Sequence, residues 1–245
     1  MKILRKILAA TYLTLVASGF VCASTVGSTI NERKNPAQEN RKVSGFSGLS
    51  SSGSYYVFIT MGNTESLRME GDPESIREIE TKVENGILKI RNRKQLNHRT
   101  WNNRGRVNIY IHAKELNNIL LSGSGSIKVN GKLKDESLKN TISGSGSIEV
   151  NMDVNEYTGT ISGSGTILAR GVADNTKITI TGSGNFEGKE LHTANTLAKL
   201  SGSGNIDIHA AKSLDAVLSG SGDIRYTGNA AVNSTKSGSG RILQQ

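Results

Sequence analysis

The sequence predicts an all-β protein: a right-handed parallel β-helix, or solenoid, of about 18–21-residue coils carrying an N-terminal β-rich cap. Three observations predict it. The phrase Ser/Thr-Gly-Ser-Gly begins at residues 122, 143, 162, 181, 201, 219 and 237, and self-similarity at a period near twenty marks a stacked repeat. Around each phrase the residues alternate with period two, as in Ile142-Ser143-Gly144-Ser145-Gly146-Ser147-Ile148-Glu149-Val150, which places the apolar residues and glycines on one side of an extended chain. Aligned on the phrase, the repeats stack Ile127, Ile148, Ile167, Phe186, Ile206, Ile224 and Ile242 in one column. Leu121, Ile142, Ile161, Ile180, Leu200 and Leu218 form a second, which fails only at Lys236. Such columns are what coils need to bury one continuous core.

The elements follow in chain order. The N-terminus "MKILRKILAATYLTLVASGFVCAS" has the basic start, short apolar run and small-residue end of an export signal, residues 1–23, with cleavage expected after Ala23. Lipidation of Cys22, the only cysteine, is the alternative, and Val21 before it fits that processing poorly. The run is shorter than a membrane span needs, so no transmembrane helix is expected in the mature chain, which is expected at the periplasm, cell surface or outside the cell. Residues 24–42 are polar and predict a flexible segment.

Residues 43–120 read as the cap and first coils. Strands are expected at Tyr56–Thr60, Leu67–Glu70, Gly86–Ile90 after an Asn-Gly turn, and Arg106–Ile111, with a short helix over Pro73–Val83 capped by Asp72. Residues 121–245 are the Gly-Ser repeat. Its glycines, Gly123 and Gly125, Gly144 and Gly146, Gly163 and Gly165, Gly182 and Gly184, Gly202 and Gly204, Gly220 and Gly222, and Gly238 and Gly240, are expected at inward-facing corners, with the serines forming outward ladders.

Composition narrows the function. Aromatic residues are 4% of the chain, Gly numbers 28 and Pro 2, which fits an aliphatic core with many bends rather than a disordered linker. Removing the leader takes away three positive charges and no negative one, lowering the formal net charge from +9 to +6. That excess would favour a glycan or an anionic envelope surface as partner, but there is no dense Lys/Arg cluster with interleaved aromatics, so nucleic acid is not expected. The phrase lacks the Gly-Lys-Ser/Thr ending of a phosphate loop. The position after it, Ser126, Ser147, Thr166, Asn185, Asn205, Asp223 and Arg241, carries one carboxylate in seven, which does not imply calcium. No cofactor or metal is implied.

The ordered motifs "VSGFSGLSSSGSYYVFITMGNTESLRMEGD", "IETKVENGILKIRNRK" and "VNIYIHAKELNNILLSGSGSIKV" resemble the head GIN domain family of auto-transporter adhesin-like proteins, widespread in Bacteroidetes, over about residues 43 to 245. The resemblance implies an exported β-helical protein with a surface or adhesive role and no catalytic residues to carry over. No barrel-length segment follows the repeats, which end "SGSGRILQQ", so the membrane barrel of an auto-transporter is not expected.

Three places could carry chemistry. The outward column Lys128, Glu149, Leu168, Glu187, Asp207, Arg225, Leu243 sets Glu187 and Asp207 on adjacent coils, where they could cleave a polysaccharide as an acid pair or simply form a solvated charge column relieved by Arg225. The loop "RKQLNHRTWNNRGR" holds the only Trp; Trp101 could stack on a sugar while Arg99 and Arg104 hold an anionic group, or it could merely cover the cap. The histidines His98, His112, His192 and His209 lack ligand spacing. The reading is therefore a noncatalytic, adhesion-like envelope protein, with an enzyme and a homo-oligomer joined through the last coil as alternatives.

Overall fold

The structure, a computed structural model, describes residues 36–93 and 105–245. The leader with Cys22 and Ala23, and the loop residues Arg99, Trp101 and Arg104, lie outside the described residues. The described strands are β1 Ala37–Arg41, β2 Gly48–Ser52, β3 Tyr56–Met61, β4 Ser66–Gly71, β5 Ile79–Glu84, β6 Ile87–Asn92, β7 Val107–Ala113, β8 Asn118–Gly123, β9 Ser126–Gly144, β10 Ser147–Gly163, β11 Thr166–Gly182, β12 Asn185–Gly202, β13 Asn205–Gly220, β14 Asp223–Thr227, β15 Ala231–Ser237 and β16 Arg241–Gln244. One helix, α1 Pro73–Glu78, joins β4 to β5. The strands form a β-solenoid of about seven turns with coils of ~19 residues.

From β9 to β13 each coil is one extended run of 16 to 19 residues wrapped from one Gly-Ser corner to the next. Successive coils pair in parallel, and the pairing sets Ile148 against Ile127 and Ile167, and Ile161 against Ile142 and Ile180, so both predicted columns are in register. They are buried until the last coil, where Ile242 is half-buried and Lys236 exposed. Tyr157 and Phe186 are fully buried in the interior with ring centroids 6.1 Å apart. Asn140 Nδ2 donates to the Tyr157 hydroxyl at 3.2 Å, and burial pushes that phenol well above its ordinary range.

The corners differ from the expected unbroken alternation. The first glycine of every phrase has φ between +106° and +131°, so extended backbone stops there and the chain turns. A Cβ on Gly144 would sit 2.6 Å from Gly123 O in the coil below. On Gly146 it would meet Gly125 O at 2.5 Å and Leu121 Cδ2 at 2.6 Å. Only the second glycine of each pair faces the interior; both are required because the coil beneath is so near. That closeness lets Ser145 N–H donate to Gly123 O at 3.0 Å and Ser147 N–H to Gly125 O at 3.1 Å, so the corner is laddered by main chain. The side-chain ladders between coils lie away from the corner serines, as in Asn205 Nδ2 to Asn185 Oδ1 at 3.0 Å and in Ser213 Oγ to Asn195 Oδ1 at 2.9 Å.

The N-terminal coils stack out of chain order. Strand β2 pairs in parallel with both β6 and β8, and β3 with both β7 and β9, so the coil of residues 48–61 is inserted between the coil of 87–113 and the first Gly-Ser coil. Gly53 (φ +145°) lies under Gly123, extending the corner column one coil earlier. Antiparallel strands then close the end: β4 on β7, β1 on β4, and β5 on β6 through the turn at Asn85 (φ 52°) and Gly86 (φ 72°).

Two expectations are corrected here. Residues 37–41 of the segment expected to be flexible form β1, anchored where Arg41 Nη1 donates to Ile79 O at 2.6 Å and Nη2 to Ile76 O at 3.1 Å. The helix begins as expected, with Asp72 accepting from Ser75 N at 2.9 Å, but ends at Glu78, because Ile79, Thr81 and Val83 pair with β6 instead.

Candidate functional site

Because coils stack in register, the outer face of the strand following each corner carries one continuous column. Pairing runs it from Asn40 and Arg68 through Tyr110, Phe58, Lys128, Glu149, Leu168, Glu187, Asp207 and Arg225 to Leu243. The predicted outward column is thus real, and the structure extends it over the cap.

In the C-terminal half the column carries both signs of charge, and most of its acids are paired with bases. Glu149 accepts from Lys128 Nζ at 3.1 Å and from Arg170 Nη1 at 3.0 Å; the Lys128 hydrogen bond first, then Arg170, hold its carboxyl below the usual range. Arg170 also reaches Glu190 at 3.1 Å. A break in register between Gly188 and His192 pushes Lys189 and Glu190 out as a bulge beside Glu187, forming a groove of about 410 Å³ with Asn185, Asn205 and Asp207. Glu187 and Asp207 are directly paired across adjacent coils. They are not equivalent: Asp207 accepts two hydrogen bonds from Arg225, at 2.7 and 3.0 Å, while Glu187 is exposed. The pairing with Asp207 raises Arg225 and fixes its fork on that carboxylate.

The histidines fall in separate places. His192 and His209 meet on adjacent coils, ring centroids 4.6 Å apart and nearly perpendicular, a contact their spacing of 17 did not reveal. His112 lies on β7, and His98 lies outside the described residues. Among the described residues there is no group of three or more His, Cys, Asp or Glu placed to hold a metal. No helix among them is long and apolar enough to cross a membrane.

In the N-terminal half the column becomes aromatic and basic. Phe58 and Tyr110 stack at 5.4 Å with an interplanar angle of 19°, and the Arg68 guanidinium lies 4.6 Å from the Tyr110 ring centroid. Sequence reasoning missed this cluster because its members are far apart in the chain. The signal was an aromatic residue at the outward position of Tyr56–Met61 and of Val107–Ala113, where later coils carry charged or aliphatic residues.

A parallel solenoid whose outer faces are continuous polar and aromatic columns is a repeat scaffold that presents extended surfaces. The family described as "Putative auto-transporter adhesin, head GIN domain" matches residues 45–230, and the chain belongs to it. Solved structures share the fold. A "putative adhesin" of Bacteroides fragilis is 22% identical with a TM-score of 0.78, covering 86% of this chain and 98% of that one. A "Putative lipid binding protein" of Parabacteroides distasonis is 24% identical, with a TM-score of 0.70 and coverage of 87% and 98%. A "putative adhesin" of Parabacteroides merdae is 20% identical, with a TM-score of 0.67 and coverage of 87% and 97%. No curated protein matches.

Proposed function

We propose that the chain is an exported, noncatalytic adhesion module of the cell envelope that binds through the outer faces of its solenoid. Membership of the head GIN family supports the adhesive reading, and the N-terminal leader supports export. The observation that carries the choice against an enzyme is the Arg225 fork on Asp207. An acid–base pair needs two carboxyls free to reach the scissile bond, and the Arg225 fork occupies both oxygens of Asp207. Glu187 is left exposed to water, its neighbour across the coils already committed to Arg225.

The test incubates residues 24–245 with a polysaccharide set and follows both retention and chain cleavage. Retention without cleavage, unchanged in the Glu187→Gln, Asp207→Asn double variant, is the expected result. Cleavage that the double variant abolishes would overturn the noncatalytic reading. The same retention assay with Trp101→Ala measures whether the loop containing Arg99, Trp101 and Arg104 contributes a sugar contact.

A further inference from the structure

We infer that the groove across the N-terminal coils is a binding site for a short segment of acidic polysaccharide. The groove has a volume of about 550 Å³ and crosses β4, β7, β3 and β9, so it runs along the solenoid axis. This inference deepens the adhesive reading and rests on it.

The floor and wall have different chemistry. Ser66, His112, Thr60 and Asn130 lie in register, one per strand, and line the groove as a row of hydroxyl, imidazole, hydroxyl and amide. Four strands spaced by ~4.8 Å make that row roughly 14 Å long. The wall is the stack of Arg68, Tyr110 and Phe58. Both faces of Tyr110 are covered, by Phe58 on one side and Arg68 on the other, so the wall offers ring edges and a phenolic hydroxyl. A pyranose chain lying along the row presents hydroxyl groups to such a floor and C–H groups to such a wall. Single-stranded nucleic acid needs successive free aromatic faces for its bases, and Tyr110 supplies none.

Charge selects the acidic members of that class. Lys42 and Arg68 line the groove and no carboxylate does. Arg41 is committed elsewhere, to Glu39 and the carbonyls of Ile76 and Ile79. Arg68 gives Nη1 to Glu70 at 2.6 Å and keeps its other nitrogens, while Lys42 is exposed and makes no ion pair among the described residues. The groove at the other end of the same column sets Glu187, Glu190 and Asp207 against Arg170, Lys189 and Arg225, with Glu190 and Asp207 paired to Arg170 and Arg225, so it offers a polyanion no cationic excess. The cationic excess along the column therefore lies over the N-terminal coils.

The experiment titrates residues 24–245 with hexamers of galacturonate, alginate, hyaluronan and chondroitin sulfate, with the methyl esters of the first two, and with oligo-dT. Saturable binding of at least one acidic hexamer is expected. Arg68→Gln and Tyr110→Ser should each weaken it roughly tenfold, which corresponds to about 1.4 kcal/mol. Phe58→Leu, which keeps the bulk without the ring, should weaken it several-fold, and Glu187→Gln should leave it unchanged. Thermal unfolding of each variant checks that the fold persists. A blank across the acidic hexamers, equal binding of oligo-dT, or binding indifferent to Arg68→Gln and Tyr110→Ser would overturn the site. If the protein still adheres to other glycans in those cases, the adhesive reading stands and only this groove is refuted.

Discussion

At the scale of single residues, the corner glycines are held by two independent restraints, and they can be separated. Gly144 has a positive φ and a Cβ position 2.6 Å from a main-chain oxygen; Gly131 has a positive φ (+86°) and open space. Gly144→Ala should therefore cost both backbone strain and displacement of the neighbouring coil, on the order of 2–3 kcal/mol, and Gly131→Ala about 1 kcal/mol. Denaturant unfolding of the two variants checks the ranking, and equal losses would mean that stacking closeness is unimportant. The repeat was legible in the sequence because stacking in register converts structure into a fixed spacing of glycine and isoleucine. Partnerships of Glu149 were legible only as a column. Its lowered carboxyl, held first by Lys128, contributes stability that is fully present above the ordinary Glu range and is lost as pH falls through the lowered value. Glu149→Gln should accordingly flatten part of the acid-side fall in Tm while lowering Tm at pH 7 by only a degree or two, since exposed ion pairs are worth roughly 0.2–1 kcal/mol. A pH series of melting curves for the two proteins measures both effects.

At the scale of elements, local signals predicted starts better than ends. Asp72 and Pro73 announce α1, and the cap forms: Asp72 accepts from Ser75 N and Ser75 Oγ at 2.9 and 3.0 Å. Nothing in the helix itself stops it at Glu78; the alternation of Ile79, Thr81 and Val83 against Leu88 and Ile90, brought together by the Asn85-Gly86 turn, gains more from strand pairing than from another helical turn. Asp72→Ala should cost about 1 kcal/mol, read by denaturant unfolding, without disturbing β5. The strand at Ala37–Arg41 escaped prediction for a related reason. Its residues, AQENR, have weak strand propensity and are held by β4 and by the Ile76 and Ile79 carbonyls that Arg41 reaches, all remote in sequence. The insertion of the 48–61 coil between later segments was hidden likewise, since apolar alternation marks a strand but not its partner. The groove at Phe58 and Tyr110 depends on that insertion, so its wall could be assembled only once the coil order was known.

At the scale of the whole molecule, the two ends of the solenoid are treated differently. Antiparallel strands cover the N-terminal end, whereas among the described residues β15 pairs only with β13 and β16 only with β14, both in parallel. An open edge over a continuous apolar column is a template for a second copy. The column changes at this coil: Leu218 is buried, and its partner one coil further on is the exposed Lys236, with Ser234 likewise following the buried Ala216. A copy stacking here in register would set the Lys236 ammonium on the leucine column, and burying an unpaired charge costs on the order of several kcal/mol. The single break in the leucine column is therefore expected to disfavour end-to-end assembly through this coil. Residues 24–245 should scatter light as a monomer at high concentration, while Lys236→Leu, which restores the column, should associate as concentration rises. A wild-type protein that already associates through this edge, shown by loss of association when β15 carries a proline at Thr235, would mean that Lys236 does not guard it.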